Sequence, residues 1–126
     1  MTRKTLLHFA ALMLVAGCAS LQPNALMNAA GNRYLDCLNA AAEKNMDNPT
    51  TAENIAAAAH AACWSDWQAY REATSTNFYA SATTAQEAQL AHDKADAHLR
   101  QFEIEARKAV ASRVIERSSG VRKTAP

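Results

Sequence analysis

Cys37 and Cys63 stand at equal distances from position 50, beside Pro49. In an antiparallel helix pair, residues equidistant from the turn lie at one height, so a turn at Pro49 would bring the two thiols level. The same arithmetic sets Ala41 against Ala59, Tyr34 against Trp67 or Asp66, and Ala30 against Tyr70. The Ala–Ala level matters because a disulfide needs Cα atoms about 5.5 to 6 Å apart, closer than bulky facing side chains allow. A second chemistry competes with this staple. His60 precedes Cys63 by three positions on the same helix, and Cys37 could face both. Thiolates and an imidazole are ligands for zinc or copper, but only three are present where a closed zinc site takes four. A redox centre has less support, because no Cys-x-x-Cys motif occurs.

Other groups carry weaker signals. His92 and Asp96 are four apart, a spacing that orients an imidazole for proton transfer but is also an ordinary surface pair on a helix. No Ser or Cys nucleophile with local sequence support accompanies them, so no catalytic residues are assigned. Trp64, Trp67, Tyr70, Phe78 and Tyr79 concentrate five of the eight aromatic residues within one short stretch. Trp67 and Tyr70 fall on the cysteine face and are read as core. Trp64 points off that face, toward a third helix or a partner. With three Gly in all and none clustered, there is no phosphate-cradling loop. Neither a metal nor another cofactor is expected.

The N-terminus supplies an address. Arg3 and Lys4 precede a ten-residue apolar run, Leu6 to Val15, broken only by His8. That is about half of the roughly 20 residues a membrane-spanning helix needs, and small residues then lead to Cys18, the layout of a cleaved export signal. Val15-Ala16-Gly17-Cys18 resembles the lipobox of bacterial lipoproteins. The resemblance covers residues 1–18 only. It implies that Cys18 becomes the first residue of the mature chain and carries long acyl chains such as palmitate. Ala19 follows it where lipoproteins kept at the inner membrane usually carry Asp, so the resemblance implies an outer-membrane anchor facing the periplasm. With Cys18 acylated, Cys37 and Cys63 remain, in a compartment where disulfides persist.

The elements that must position these groups are helical. Thirty of the 126 residues are Ala, while Gly and Pro number three each, and Ala has the highest helix propensity. A first helix is predicted over 24–46, interrupted by Gly31 and closed by Asp47-Asn48-Pro49. Thr50-Thr51-Ala52-Glu53 forms a capping box for a second helix through Tyr70, with Thr74-Ser75-Thr76-Asn77 as a turn or a frayed extension. Thr84-Ala85-Gln86-Glu87 repeats the box and opens a long helix to about residue 117, with a stop at Ser118-Ser119-Gly120. The predicted fold is therefore all-α: a disulfide-linked antiparallel helical hairpin plus one long C-terminal helix, three helices in all and partly like a coiled coil. Its predicted parts are a signal peptide 1–17, a lipidated tether 18–23, a helical domain 24–118 and a free tail 119–126.

On the long helix, Ala95, Leu99, Phe102, Ala106 and Ala109 alternate four and three apart, like a short coiled-coil seam. The rod should overhang the hairpin, which makes Phe102, Ala106 and Ala109 the expected contact surface for a protein partner or a second copy. The seam invites comparison with the murein lipoprotein of enteric bacteria, a lipid-anchored helix joined to peptidoglycan through a C-terminal Lys. This chain instead ends Lys123-Thr124-Ala125-Pro126 and carries a cysteine pair, so a peptidoglycan contact has no direct support. Charge is segregated. Residues 24–99 hold four basic and nine acidic groups, and residues 100–126 hold seven basic and three acidic. An exported lipoprotein has little access to nucleic acid, so none is expected as a partner. The leading expectation is a non-catalytic, membrane-anchored interaction or structural module of the envelope. A metal or ligand carrier built on Cys37, His60 and Cys63 is the second, and an immunity or exclusion lipoprotein is the third.

Overall fold

The computed structural model describes residues 22–123; the lipobox and Cys18 lie outside them. Helix α1 spans Pro23–Glu43, α2 spans Ala52–Ala62, α3 spans Trp64–Tyr79 and α4 spans Ala85–Lys123. Pro23 opens α1 at its first turn, where the missing N–H costs nothing and the fixed φ suits a helix. The turn after α1 is closed by backbone bonds from Asn45 to Ala42 and from Thr50 to Asn48. That turn consumes Thr50, so the cap of α2 falls one residue later than the capping box predicted. Thr51 is extended, and its side chain accepts from the Asn54 N–H.

Helices α2 and α3 form one bent rod rather than a single straight helix. Only Cys63 separates them, at φ −101° and ψ 23°, and its carbonyl still accepts from Trp67 N. No Pro or Gly explains the bend; it coincides with the disulfide. The segment Thr74 to Asn77 is helical, with the Thr76 hydroxyl bonded back to the Glu72 carbonyl. Helix α1 runs antiparallel to this rod, and α4 runs antiparallel to it on another side, so α1 and α4 are parallel. Three levels of contact show it: Gly31 near Tyr70 and Phe102, Tyr34 near His60 and Phe102, and Asn39 near Arg113.

Gly31 does not loosen α1 as its propensity predicts. A Cβ at this position would sit 3.1 Å from Tyr70 Cε2 and 3.7 Å from Phe102 Cζ. The missing side chain lets the Tyr70 ring lie this close to α1, while the Phe102 distance would be an ordinary contact.

Helix α4 departs from expectation in three ways. Its buried stripe is Ala91, Ala95, Leu99, half-buried Phe102, Ala106, Val110 and Val114. Steps of four dominate over the four-three alternation, so the stripe winds slowly around the helix, and past Ala106 it passes through Val110 and leaves Ala109 exposed. Second, the hairpin covers this face much further than predicted. Arg113 bonds Asn39 and Arg117 Nη1 reaches Met46 Sδ at 3.5 Å. Of the expected partner surface, Ala106 is therefore interior at 6 % exposed and Phe102 packs on Tyr34 and Tyr70, while Ala109 stays exposed. Third, the helix does not stop at Ser118-Ser119-Gly120 but continues to Lys123. Ser118 and Ser119 hydroxyls donate to the Ile115 carbonyl, so they back-bond within the helix instead of leaving it.

Candidate functional site

The sequence brings Cys37 and Cys63 together as a disulfide, with Cα atoms 5.9 Å apart. Cys63 is buried and Ala59, one turn earlier, is wholly buried, which supplies the close helix approach that the bridge requires. Both sulfurs are consumed, so the thiolate–imidazole set has lost two of its three ligands. Among the described residues no cluster of three His, Cys, Asp or Glu could hold a metal ion.

His60 is engaged elsewhere. Its Nδ1 lies 2.7 Å from the Tyr34 hydroxyl, which donates in the tautomer whose ring proton sits on Nε2. That nitrogen faces Glu103 Oε1 at 3.7 Å, and the same oxygen accepts from Arg107 Nη1 at 3.2 Å. The chain Tyr34–His60–Glu103–Arg107 thus ties α1, α2 and α4 together. Tyr34 has no exposed surface. Burial, reinforced by the Glu103 carboxylate and partly opposed by Arg107, pushes its phenol up to about 12. Such a group is sealed from any substrate and keeps its proton at physiological pH. Its chemistry is to satisfy a buried polar atom.

A second pair follows the same plan. Tyr70 hydroxyl lies 2.8 Å from His98 Nε2, joining α3 to α4. Burial raises the Tyr70 pKa, and the neighbouring Thr74 hydroxyl partly offsets it, although Thr74 Oγ1 itself, wholly buried, meets no partner at hydrogen-bonding geometry. The rings of Tyr34, Trp67, Tyr70 and Phe102 lie in contact between these pairs, at centroid distances of 5.1, 5.9 and 4.4 Å along the series. The tyrosine–histidine pairs were not found from sequence. Their partners are 26 and 28 residues apart, and only the helix register about Pro49 and about the second turn could have aligned them.

The accessible polar chemistry lies on the outer seam of α3 and α4. Two shallow hollows of about 380 and 340 Å³ adjoin there and share Arg71, Asp96 and Leu99. Trp64 walls one end, 50 % exposed, with its ring edge-on to His60 at 5.9 Å. Glu103, in the same hollow, is oriented by His60 and Arg107. His92 and Asp96 form the expected helix-surface pair at 3.5 Å, in the other hollow. The groove therefore presents one broad aromatic face among charges of both signs. Comparison of the chain with protein-family models, with curated proteins and with solved structures finds no match.

Proposed function

We propose that this chain is a non-catalytic, membrane-anchored envelope lipoprotein that acts as an interaction module, docking a protein partner through the α3–α4 groove. The observation that carries the reading is Trp64. A half-exposed indole is costly to leave in water, and Trp and Arg are the residues most enriched where partners bind tightly. Arg71, Arg100, Asp96 and Glu103 surround it in the groove, giving the polar rim such contacts use. The disulfide and the two tyrosine–histidine pairs make the face rigid, which lowers the entropy lost on docking.

The address rests on the lipobox resemblance at Cys18, with the outer membrane facing the periplasm as the proposed site. No helix among the described residues is long and apolar enough to cross a membrane; the proposed attachment rests on the acyl chains that the lipobox resemblance implies. Several long chains hold firmly at about 0.8 kcal/mol per buried CH₂. Cys18→Ala should release the protein from membranes or leave the precursor uncleaved. A photoreactive phenylalanine analogue at position 64 should give one discrete adduct in the exporting cell, abolished by Arg71→Glu with Arg100→Glu. No adduct, or one indifferent to the arginines, would overturn the groove as the docking site.

A further inference from the structure

We propose that His98, Tyr70 and Thr74 form a proton-operated latch between α3 and α4: when the His98 imidazole gains a proton, the Tyr70 hydroxyl turns from His98 to Thr74. Tyr70 Oη lies 2.8 Å from His98 Nε2. Thr74 is wholly buried, and its Oγ1 has no hydrogen-bond partner, a state in which few buried hydroxyls are left. It follows Tyr70 by four positions on the buried face of α3, a spacing at which side chains on a helix are neighbours. It also sits midway between Tyr70 and Phe78, whose rings meet that of His98 at 6.3 and 5.7 Å. A phenol has one proton to give. With Thr74 unpartnered, that proton points to Nε2, and the neutral imidazole carries its own on Nδ1.

Protonation adds a hydrogen at Nε2 alone, and both ring nitrogens are then donors. Nε2–H must point at Tyr70 Oη, so the phenol hydrogen needs a new acceptor. Thr74 Oγ1 supplies it after a small side-chain movement. Tyr70 keeps its proton throughout, and the added one comes from water, because His98 is only half-buried. The acid form thus satisfies one buried group more than the neutral form. Few other charges bear on the exchange. From α3, His98 meets Tyr70 and the Phe78 ring, and from its own helix the Phe102 ring. Lys94, exposed, precedes it by one turn and shares a hollow with Glu87. Arg71, Glu72 and Asp96 line a different hollow, of which His98 is not a wall. Residues 22–32, the first turns of α1 up to the level of Phe102, hold no titratable side chain. Among the described residues no carboxylate pairs with His98. The other tyrosine–histidine pair lacks the device: the residue four after Tyr34 is Leu38, so no hydroxyl waits there.

Histidines exchange their proton between about pH 5 and pH 8, so urea unfolding of the full chain at those two values tests the latch. Thr74→Val removes the acceptor and keeps the shape. Relative to the unsubstituted protein, its folding constant should be equal or higher at pH 8 and about fivefold lower at pH 5. In a Tyr70→Phe background the same substitution should have one effect at both pH values. By NMR, the Tyr70 hydroxyl proton should contact the His98 ring at pH 8 and the Thr74 methyl at pH 5. An effect of Thr74→Val that is equal at both pH values in the otherwise unsubstituted protein would overturn the latch. So would a Tyr70 hydroxyl proton that stays on His98 at pH 5. Docking at the Trp64 groove plays no part in these measurements, so the two readings fail independently.

Discussion

The hairpin and α4 are held to the same core by different means. Helix α1 is joined to the α2–α3 rod by a covalent bond at Cys37–Cys63, and the Tyr34 ring is sealed between them. Helix α4 contributes mostly alanines and valines to the interface, which bury little area each. Its specific attachments among the described residues include polar links through Tyr70–His98, His60–Glu103, Asn39–Arg113 and Met46–Arg117. A thin, Ala-rich core can thus be fixed on one side by a staple and on the other by networks whose strength depends on protonation. Removing the staple is the sharpest way to break this contrast. Cys37→Ser with Cys63→Ser reopens a loop of 26 residues and should cost roughly 3.5 kcal/mol on the chain-entropy estimate. Denaturant unfolding should show α1 and α4 melting together in the variant. A loss below about 1 kcal/mol would mean that packing, not the bridge, fixes the hairpin.

The second test acts on the polar links. Tyr34 keeps its proton in the folded state up to about pH 12, while an unfolded tyrosine loses it near 10. The folded state therefore binds more protons between these values, and stability must fall as pH rises through that window and be unaffected below it. At about 1.4 kcal/mol per unit the loss is roughly 2 to 3 kcal/mol. Tyr34→Phe should cost about 1 kcal/mol at neutral pH, by leaving His60 Nδ1 unpaired, and should flatten the alkaline decline. Parallel alkaline curves for the two proteins would show that the Tyr34 phenol is not the group that titrates.

What the residues revealed in advance follows the same division. The hairpin was legible because two cysteines and a Pro-containing turn fix one register, and Tyr34 does meet Trp67 as that register requires. The cap of α2 was misplaced by one residue, since turn bonds around Asn48 take up Thr50 before the helix begins. For α4, alanine is ambiguous: it fits both the inner and the outer face, so Ala106 and Ala109 were assigned to one seam although only Ala106 is buried. The large residues discriminate better. Ile104 and Ile115 lie outside and Val110 and Val114 inside, a distinction that periodicity alone does not draw between two apolar stripes on one helix. The groove around Trp64 was visible only as an aromatic off the cysteine face, because its other wall comes from residues 28 or more positions away.

The smallest expected effect concerns how α4 starts. Glu87 Oε2 accepts from the N–H groups of Thr83 and Thr84 at 2.8 and 3.0 Å and from the Thr83 hydroxyl at 2.8 Å, while Thr84 Oγ1 accepts from Glu87 N at 3.2 Å. The reciprocal capping predicted at this end is thus formed, with Thr83 as an added donor. These bonds, the Thr83 N–H foremost, hold the Glu87 carboxyl below its ordinary value of 4.5. A depressed pKa means that the cap contributes above the ordinary carboxylate value and is lost as pH falls through the lowered one. The group is fully exposed, so the loss should remain local, a fraying of the first turn of α4 with no change in global unfolding. Amide shifts of Thr83 and Thr84 should titrate with an apparent pKa below 4.5 in the native protein and stay flat in Glu87→Gln. If the shifts move equally in both, another group governs the start of α4, and both ends of the hairpin–α4 connection need a different account.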